Sequence, residues 1–408
     1  MSTLFPDLPD PAPPQPFSIA AVSPLFLSYY ALGVLAILPN TFFLRVSLLP
    51  FIVWQARESI GLDISPWLGQ KLGIETRDGL VFWHFAFVGT VFIMAVRSFE
   101  WAFIRKPLRK YEPLEDQSTP VERPLTISNV LLDGCDLFFN QRGLAWSWSP
   151  NPFPRESAPP LSILSVTAKV LVKFTVLDAS QYLIQYMCPS VNKPGGGSIF
   201  EPSYSPWSRV GVAAFAGVCG GFWVWAILDS YYEISALVGR TLLRQPASQW
   251  PPLSHRPWLS TSLHAFWSFR WHQLFRHFFV TFGARPGGAI LGQSGAFFGA
   301  FTASAIMHHV GLWGLNYGTL STARFFLLMG IGIIIERVFK KATGLRVGGI
   351  FGWLWSILWV LVWGVFLLDE WAQRGMVSTV FLPARFRYGK LAVETVITLS
   401  KKLMTPQF

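Results

Sequence analysis

The chain has 408 residues, a net charge of +11 and a charged fraction of 13%, about half of the ~25% typical of soluble domains. Hydrophobic residues make up 51% of it, aromatic residues 16%, and its mean hydropathy is +0.39. This composition excludes a disordered chain, a coiled coil and a nucleic-acid-binding tail, and it leaves too few polar side chains to cover a soluble enzyme. We therefore expect an all-α, polytopic bundle of membrane helices.

The N-terminal segment has six prolines between Pro6 and Pro16, and its first 24 residues contain no lysine or arginine. We therefore expect residues 1–24 to form an extended, disordered tail and not a cleavable signal peptide. Residues 25–399 are expected to form a single membrane domain, and residues 400–408 a short C-terminal tail.

Apolar runs along the chain predict about eight membrane spans, with seven to nine as the range. The predicted spans lie near 25–38, 41–57, 80–97, 161–187, 209–238, 291–315, 323–339 and 349–368. The first is short, and Pro39 and Pro50 interrupt the region, so a re-entrant pair is the alternative for the first two. A weaker run at 376–399 is broken by a proline and several basic residues, and it would supply the ninth span.

Charged residues indicate how the bundle is oriented. Lysine and arginine cluster in three segments, which are 98–160, 239–290 and 340–348. The intervening loops, 188–208 and 316–322, hold only Lys193. The positive-inside rule therefore predicts that the three basic segments are cytosolic. The charged residues within span 161–187 are expected to face the interior of the bundle or to lie near an interface; they are Lys169, Lys173 and Asp178.

Two adjacent histidines, His308 and His309, lie inside the otherwise uncharged span 291–315. Burying such groups is costly, so ionisable residues within a membrane span indicate a functional site. Neighbouring residues on a helix point about 100° apart, so we expect one imidazole to face a cavity while the other packs elsewhere. The alternative is a structural pair that forms hydrogen bonds across helices.

An aromatic and basic segment, residues 266–279, lies just before the His308 span on the predicted cytosolic side. Trp267, Trp271 and Phe275 recur at i, i+4 and i+8, which predicts a shared helix face. An interfacial helix with an aromatic belt would have the same pattern and is the alternative interpretation. The segment 133–148 also mixes polar and aromatic residues, and by itself it indicates only an interfacial segment.

Histidine spacing argues against a metal centre. Membrane di-iron enzymes carry patterns such as His-x-x-x-His, and His264, His272, His277 and His308 do not fit them. No acidic residue follows His308 as a zinc motif of the His-Glu-x-x-His type would require. The three cysteines are far apart in sequence and form no zinc pattern. We therefore expect no metal cofactor.

The run Phe-Trp-x-x-Arg-Trp-His-Gln at 266–273, followed by Met-His-His at 307–309, resembles the wax-synthase-like branch of the membrane-bound O-acyltransferases. The segment 133–148 is similar to fungal members of that branch. The resemblance covers about residues 133–345, with its core at about 240–345. It implies a fungal acetyltransferase of terpenoid or meroterpenoid secondary metabolism, embedded in the endoplasmic reticulum membrane.

The resemblance implies transfer of an acyl group from acetyl-CoA, or another acyl-CoA, to a hydroxyl of a lipophilic alcohol. Direct transfer needs a base near the hydroxyl and donors near the developing oxyanion. We expect His308 to be that base, with no acyl-enzyme, and His272 to orient the acyl group or polarise its carbonyl. The residues expected to line the CoA side are Trp267, Arg270, Trp271 and Arg276.

Two other functions stay open. A long-chain wax-ester or sterol-ester synthase would use the same residues with a different acyl chain. A transporter would use His308, His309, Lys169 and Lys173 as a proton or substrate relay. The sequence shows no internal repeat, which gives an inverted-repeat transporter no direct support.

Overall fold

A computed structural model describes residues 15–112, 121–149, 162–313 and 321–404. The α-helices are α1 (Ile19–Ile37), α2 (Phe42–Ile60), α3 (Ser65–Leu72), α4 (Val81–Phe103), α5 (Ile127–Phe139), α6 (Ile163–Met187), α7 (Pro206–Thr241), α8 (Leu263–Ala265), α9 (Arg276–Phe279), α10 (Arg285–Trp313), α11 (Ser321–Thr343), α12 (Gly349–Ala372) and α13 (Tyr388–Met404). Short 3-10 segments lie at Arg77–Leu80, Pro189–Asn192, Ala247–Gln249, Pro257–Leu259, Met376–Ser378 and Ala384–Phe386, and π-helical segments at Phe266–Arg270 and Val280–Ala284. Two short parallel strands, β1 (Gln15–Pro16) and β2 (Leu62–Asp63), pair at one end of the bundle.

The predicted all-α class is confirmed, and the described part of each of the eight apolar runs coincides with a helix. Five stretches of the described residues are long and apolar enough to cross a bilayer: Ile19–Ile37, Arg77–Phe103, Pro206–Thr241, Arg276–Trp313 and Gly349–Ala372. The total of about eight spans stays a prediction. The weaker run at 376–399 contains the start of α13, which packs against α6.

Helix α1 begins at Ile19, within the segment 1–24 that was expected to be a disordered tail. The hydroxyl of Ser18 accepts a hydrogen bond from the amide of Ala21 at 3.1 Å, which is the capping interaction that starts a helix. The apolar residues that follow then continue the helix. Residues 1–14 and 405–408 of the two predicted tails lie outside the described residues.

The charges of α6 lie mainly inside the bundle. Lys173 is buried and pairs with Asp229 and Glu233 of α7 at 2.8 and 3.0 Å. Asp178 is 2% exposed and accepts a hydrogen bond from Arg387 at 2.7 Å. The expected inward placement is confirmed for these two residues, whereas Lys169 is exposed near the start of the helix. Lys173 thus forms ion pairs with two carboxylates, which favours a structural role over a role in a proton or substrate relay.

Hydrogen bonds tie the basic segments together at one end of the bundle. Asp136 of segment 133–148 accepts a hydrogen bond from the side chain of Gln245 at 2.6 Å. Arg142 donates to the carbonyl of Pro251 at 2.8 Å. The hydroxyl of Ser356, near the start of α12, donates to the carbonyl of Ser260 at 2.7 Å. Segments 98–160 and 239–290 are therefore joined directly, and the first half of α12, which follows segment 340–348, contacts 239–290 as well.

Residues 276–313 do not form one straight helix but fold back on themselves. Leu291 and Gly292 have non-helical backbone angles, and the φ of Gly292 is 61°. Two pairs of glycines bring the arms together, Gly283 with Gly299 and Gly287 with Gly295. A Cβ on Gly283 would lie 2.3 Å from the carbonyl oxygen of Gly299, so the backbones are in contact. We call residues 276–313 the glycine hairpin. It places residue 276 and the residues just before it near the end of α10.

Candidate active site

The aromatic segment 266–279 is not the continuous helix that the spacing predicts. After the π-helical turn Phe266–Arg270, the backbone of Trp271 is extended, with a ψ of 164°. The side-chain amide of Gln273 donates to the carbonyl of Trp271 at 2.8 Å and stabilises this break. The prediction that Trp267, Trp271 and Phe275 share one helix face is therefore wrong. The broken backbone turns residues 271–275 inward toward the glycine hairpin.

Glu336 of α11 anchors the start of this segment. Its carboxylate accepts hydrogen bonds from the backbone amides of Leu263 and His264 at 2.6 and 3.1 Å, and from the indole of Trp355 at 3.0 Å. A carboxylate at these first amides satisfies donors that have no partner within the helix. Glu336 is not among the predicted site residues. It is the lone acidic residue of the predicted span 323–339, and the cost of burying such a charge was the available indication.

His308 has a fixed orientation and a definable tautomer. Its Nδ1 lies 2.8 Å from the carbonyl oxygen of Ser304, one turn earlier in α10. A carbonyl oxygen only accepts hydrogen bonds, so Nδ1 is assigned the proton from this partner, and in the neutral ring Nε2 keeps its lone pair. The ring stacks on Phe326 of α11, with centroids 4.2 Å apart. Nε2 is therefore the nitrogen that can accept a proton.

His272 lies beside His308, at the inward end of the broken segment. Burial lowers the pKa of His272 to about 3, and the nearby His308 adds to this effect. The ring is therefore neutral at physiological pH. Its Nδ1 is buried and has no hydrogen-bond partner within the described residues. The two histidines that the sequence singled out are thus neighbours in the structure.

His309 points away from this pair, as the rotation between adjacent helix residues predicts. It lies close enough to Glu370 of α12 for their charges to interact. That carboxylate accepts a hydrogen bond from Thr322 at 2.8 Å and pairs with Arg374 at 3.1 Å. The surroundings of His309 are therefore a polar cluster between helices, which is the structural role considered for one of the two histidines.

Aromatic rings connect the broken segment to the helices that carry His308. The ring of Trp267 packs edge-on against Phe301 of α10 and Phe325 of α11, at 5.5 and 6.1 Å between centroids. Trp271 stacks on Phe266 at 5.5 Å. The indole N–H of Trp267 is buried and, among the described residues, has no acceptor. It is a hydrogen-bond donor available to a ligand.

The two arginines expected on the CoA side have different surroundings. Arg270 donates from Nη1 to the carbonyls of His255 and Arg256 at 3.0 and 3.3 Å, so its guanidinium holds the preceding loop. Arg276 is exposed at the start of α9. The structure thus brings Trp267 and Trp271 to the histidines, whereas Arg270 contacts backbone and Arg276 faces outward.

The candidate site lies in a segment with known relatives. Residues 250–328 match the model of the membrane bound O-acyl transferase family. The matched segment contains every residue proposed for the site and the whole of the glycine hairpin. The resemblance drawn from the motifs at 266–273 and 307–309 is therefore confirmed.

Curated relatives are fungal proteins at modest identity. An acetyltransferase, eriL, of Hericium erinaceus is 27% identical over 188 residues, which cover 41% of this chain and 48% of the relative. An O-mevalon transferase, yanI, of Aspergillus niger is 25% identical over 186 residues, 43% of this chain and 40% of the relative. A second O-mevalon transferase, macI, of Penicillium terrestre is 23% identical over 193 residues, 45% and 42% of the two chains. The chain thus matches less than half of the length of each of these relatives.

Proposed function

We propose that this chain, whose site-bearing segment matches the membrane bound O-acyl transferase family, is an acyl-CoA-dependent O-acyltransferase of the endoplasmic reticulum membrane. Its preferred reaction is acetyl transfer to a hydroxyl of a lipophilic terpenoid-type metabolite. The observation that carries the proposal is the His308 ring, which keeps Nε2 free as a base beside the buried, neutral His272. The names of the fungal relatives, acetyltransferase and O-mevalon transferase, support the class and leave the acyl group to experiment.

The acyl transfer takes place in one displacement. Nε2 of His308 accepts the proton of the acceptor hydroxyl while its oxygen attacks the thioester carbonyl carbon. The tetrahedral intermediate collapses as the C–S bond breaks, and the imidazolium returns the proton to the CoA thiolate. The products are an ester and free CoA. The carbonyl of Ser304 holds the Nδ1 proton throughout, so it orients the base and stabilises the transient imidazolium.

Charge that develops on the carbonyl oxygen needs hydrogen-bond donors already in place. Two buried nitrogens of segment 266–279 have no partner among the described residues, the indole N–H of Trp267 and Nδ1 of His272. Nδ1 of His309 also has none, but that ring lies toward Glu370. With its proton on Nδ1, the neutral His272 donates to the oxyanion together with Trp267. Because both groups lack partners before substrate binds, they lose no existing hydrogen bond when they donate.

The CoA side of the site lies toward the basic segments. Trp271 supplies an aromatic wall, and the exposed Arg276 supplies a cation for the CoA phosphates. Arg270 acts on this side as a positioning residue, because its guanidinium fixes the carbonyls of the loop at His255 and Arg256. The acceptor alcohol lies among the apolar helices.

The decisive experiment incubates membranes containing the protein with a series of acyl-CoAs and hydroxylated terpenoids, and detects products by mass spectrometry. We expect a product heavier by one acetyl group, which is lost in His308→Ala and kept in the matched control His309→Ala. Loss of a base lowers the rate by about 100- to 10,000-fold. Products formed only with long-chain acyl-CoA would point to a wax-ester or sterol-ester synthase. Full activity in a folded His308→Ala protein would overturn the base assignment.

A further inference from the structure

A second buried polar cluster lies where α1, α4, segment 133–148 and α9 meet. Its members are Tyr29, Arg97, Glu100, Trp148 and His277. Nε2 of His277 lies 2.6 Å from a carboxylate oxygen of Glu100, and its ring packs edge-on against Trp148 at 4.4 Å between centroids. Phe278, the next residue, packs with Met307. The cluster therefore adjoins the His308 region, but it contains none of the residues assigned to acyl transfer.

Arg97 is the central residue of the cluster and is only 4% exposed. Its guanidinium carbon lies 4.6 Å from the ring centroid of Trp101 and 5.3 Å from that of Trp148, both within cation–π range. These contacts leave the edge of the guanidinium for hydrogen bonds. Nη1 and Nη2 are both buried, and neither has a hydrogen-bond partner in the part of the chain that the structure describes.

Two more buried polar groups of the cluster make no ordinary hydrogen bond within the described residues. The ring of Tyr29 stacks on Trp101 at 4.7 Å, and its fully buried hydroxyl lies close to the guanidinium of Arg97 but outside the geometry of an ordinary hydrogen bond. The indole N–H of Trp148 likewise has no partner among the described residues. Glu100, the acidic member, is engaged with His277. The cluster thus has an excess of hydrogen-bond donors over acceptors.

Buried donors without acceptors destabilise a protein, and a charged donor does so most strongly. An acceptor that fills this cluster must offer several oxygens to a planar fork of N–H groups. Carboxylate and phosphoryl groups have that geometry and bind arginine through two parallel hydrogen bonds. We propose that the cluster is an oxyanion-binding site, in which Nη1 and Nη2 of Arg97 hold two oxygens and Tyr29 and Trp148 donate to the same group.

The test measures the binding affinity of two pairs of probes for the purified full chain, in a non-ionic detergent and without turnover. Within each pair, one probe carries an oxyanion and the other lacks it. Coenzyme A is compared with pantetheine, which lacks the phosphates, and decanoate with decanol. The variants are Arg97→Gln, Arg97→Lys and Tyr29→Phe. The matched control is Arg105→Gln, because Arg105 also lies over an aromatic ring, that of Phe42 at 4.6 Å, but is exposed.

We expect one anionic probe to bind at least about ten-fold more weakly to Arg97→Gln, as the loss of a hydrogen bond to a charged group implies. Arg97→Lys should be weakened as well because lysine lacks the fork. The uncharged partner of that probe and the Arg105→Gln control should be unaffected. An effect on coenzyme A assigns the oxyanion to a phosphate, and an effect on decanoate assigns it to the carboxylate of an amphiphile.

Tyr29→Phe separates binding from a purely structural role. The variant removes a buried hydroxyl that makes no ordinary hydrogen bond, so its Tm should stay close to that of the wild type, whereas its affinity for the anionic probe should fall. Wild-type affinity of Arg97→Gln for both anionic probes, or no binding of either to the wild type, would overturn the proposal. Because binding is measured without catalysis, failure of this proposal is distinguishable from failure to form an acylated product.

Discussion

Replacing Glu336 with glutamine tests whether the anchor of the aromatic segment controls catalysis. The carboxylate accepts three hydrogen bonds, from the amides of Leu263 and His264 and from the indole of Trp355. The substitution keeps the size of the side chain and one oxygen. Its amide nitrogen, however, would face a backbone N–H, so at least one bond is lost and the others lose their charge.

The magnitude follows from these bonds. A hydrogen bond to a charged group contributes ~1.5–3 kcal/mol and a neutral one ~1 kcal/mol, so one lost bond and two weakened bonds together cost roughly 2.5–7 kcal/mol. This loss loosens the segment that carries Trp267 and His272. A displacement of about 1 Å in a catalytic group is enough to lower the rate about 100-fold. We therefore expect Glu336→Gln to lower kcat by about 10- to 100-fold and to lower Tm.

The assay measures kcat, KM and Tm of purified Glu336→Gln beside the wild type. The control is Glu58→Gln, because Glu58 is an exposed acid at the end of α2 whose contact with Arg57 is 4.0 Å long. That variant should behave as the wild type, since exposed ion pairs contribute little. Unchanged kcat and Tm in Glu336→Gln would refute the reasoning, because a buried carboxylate with three donors would then have no measurable role.

Three further predictions concern stability and reactivity. The pKa of His272 is about 3 in the folded chain and about 6.5 in the unfolded chain. Between these pH values the unfolded chain binds more protons than the folded chain. The free energy of unfolding should therefore fall as the pH drops from 6.5 toward 3, by up to ~1.4 kcal/mol per pH unit. His272→Gln should reduce this slope in Tm measured against pH, and an unchanged slope would contradict the burial of the ring. Lys173→Met leaves Asp229 and Glu233 without their cation and should cost roughly 3 kcal/mol, seen as a lower Tm, whereas Lys169→Met, at an exposed position near the start of the same helix, should leave Tm unchanged. Burial and nearby acidic groups raise the pKa of Cys188 to about 12, so maleimide at pH 8 should modify the half-buried Cys135 before Cys188, and equal labelling of the two would argue against this environment.

The helices were predictable because apolar runs long enough to span a bilayer are conspicuous in sequence. The inward charges Lys173 and Asp178 were also predictable, since the cost of exposing them to lipid leaves few alternatives. The same cost of burial singled out His308 as a candidate, and its catalytic role stays a prediction. The start of α1 was not predicted, because it depends on the hydrogen bond that the Ser18 hydroxyl accepts from the amide of Ala21, and hydropathy carries no information about such a cap.

The details of the candidate site were not predictable because they depend on contacts between distant residues. The break at Trp271 depends on the side chain of Gln273, and the start of the segment depends on Glu336, 73 residues beyond Leu263. The residue pattern of 266–279 fits a regular helix equally well. Arg270 was expected near CoA from its charge alone, but the structure shows its guanidinium bound to backbone carbonyls. Charge indicates what an arginine can bind, whereas the fold decides which partner is in reach.

The glycine hairpin has a consequence for how the proposed site is kept in register. His272 precedes one arm, and His308 lies on the other, so the separation of the two imidazoles depends on how the arms are aligned. That alignment rests on backbone meeting backbone at Gly283 and Gly299, with no intervening side chain to compress or rotate. Because no side chain at this contact could repack, we expect the two arms to shift together and to keep the separation of the two imidazoles when the surrounding helices move.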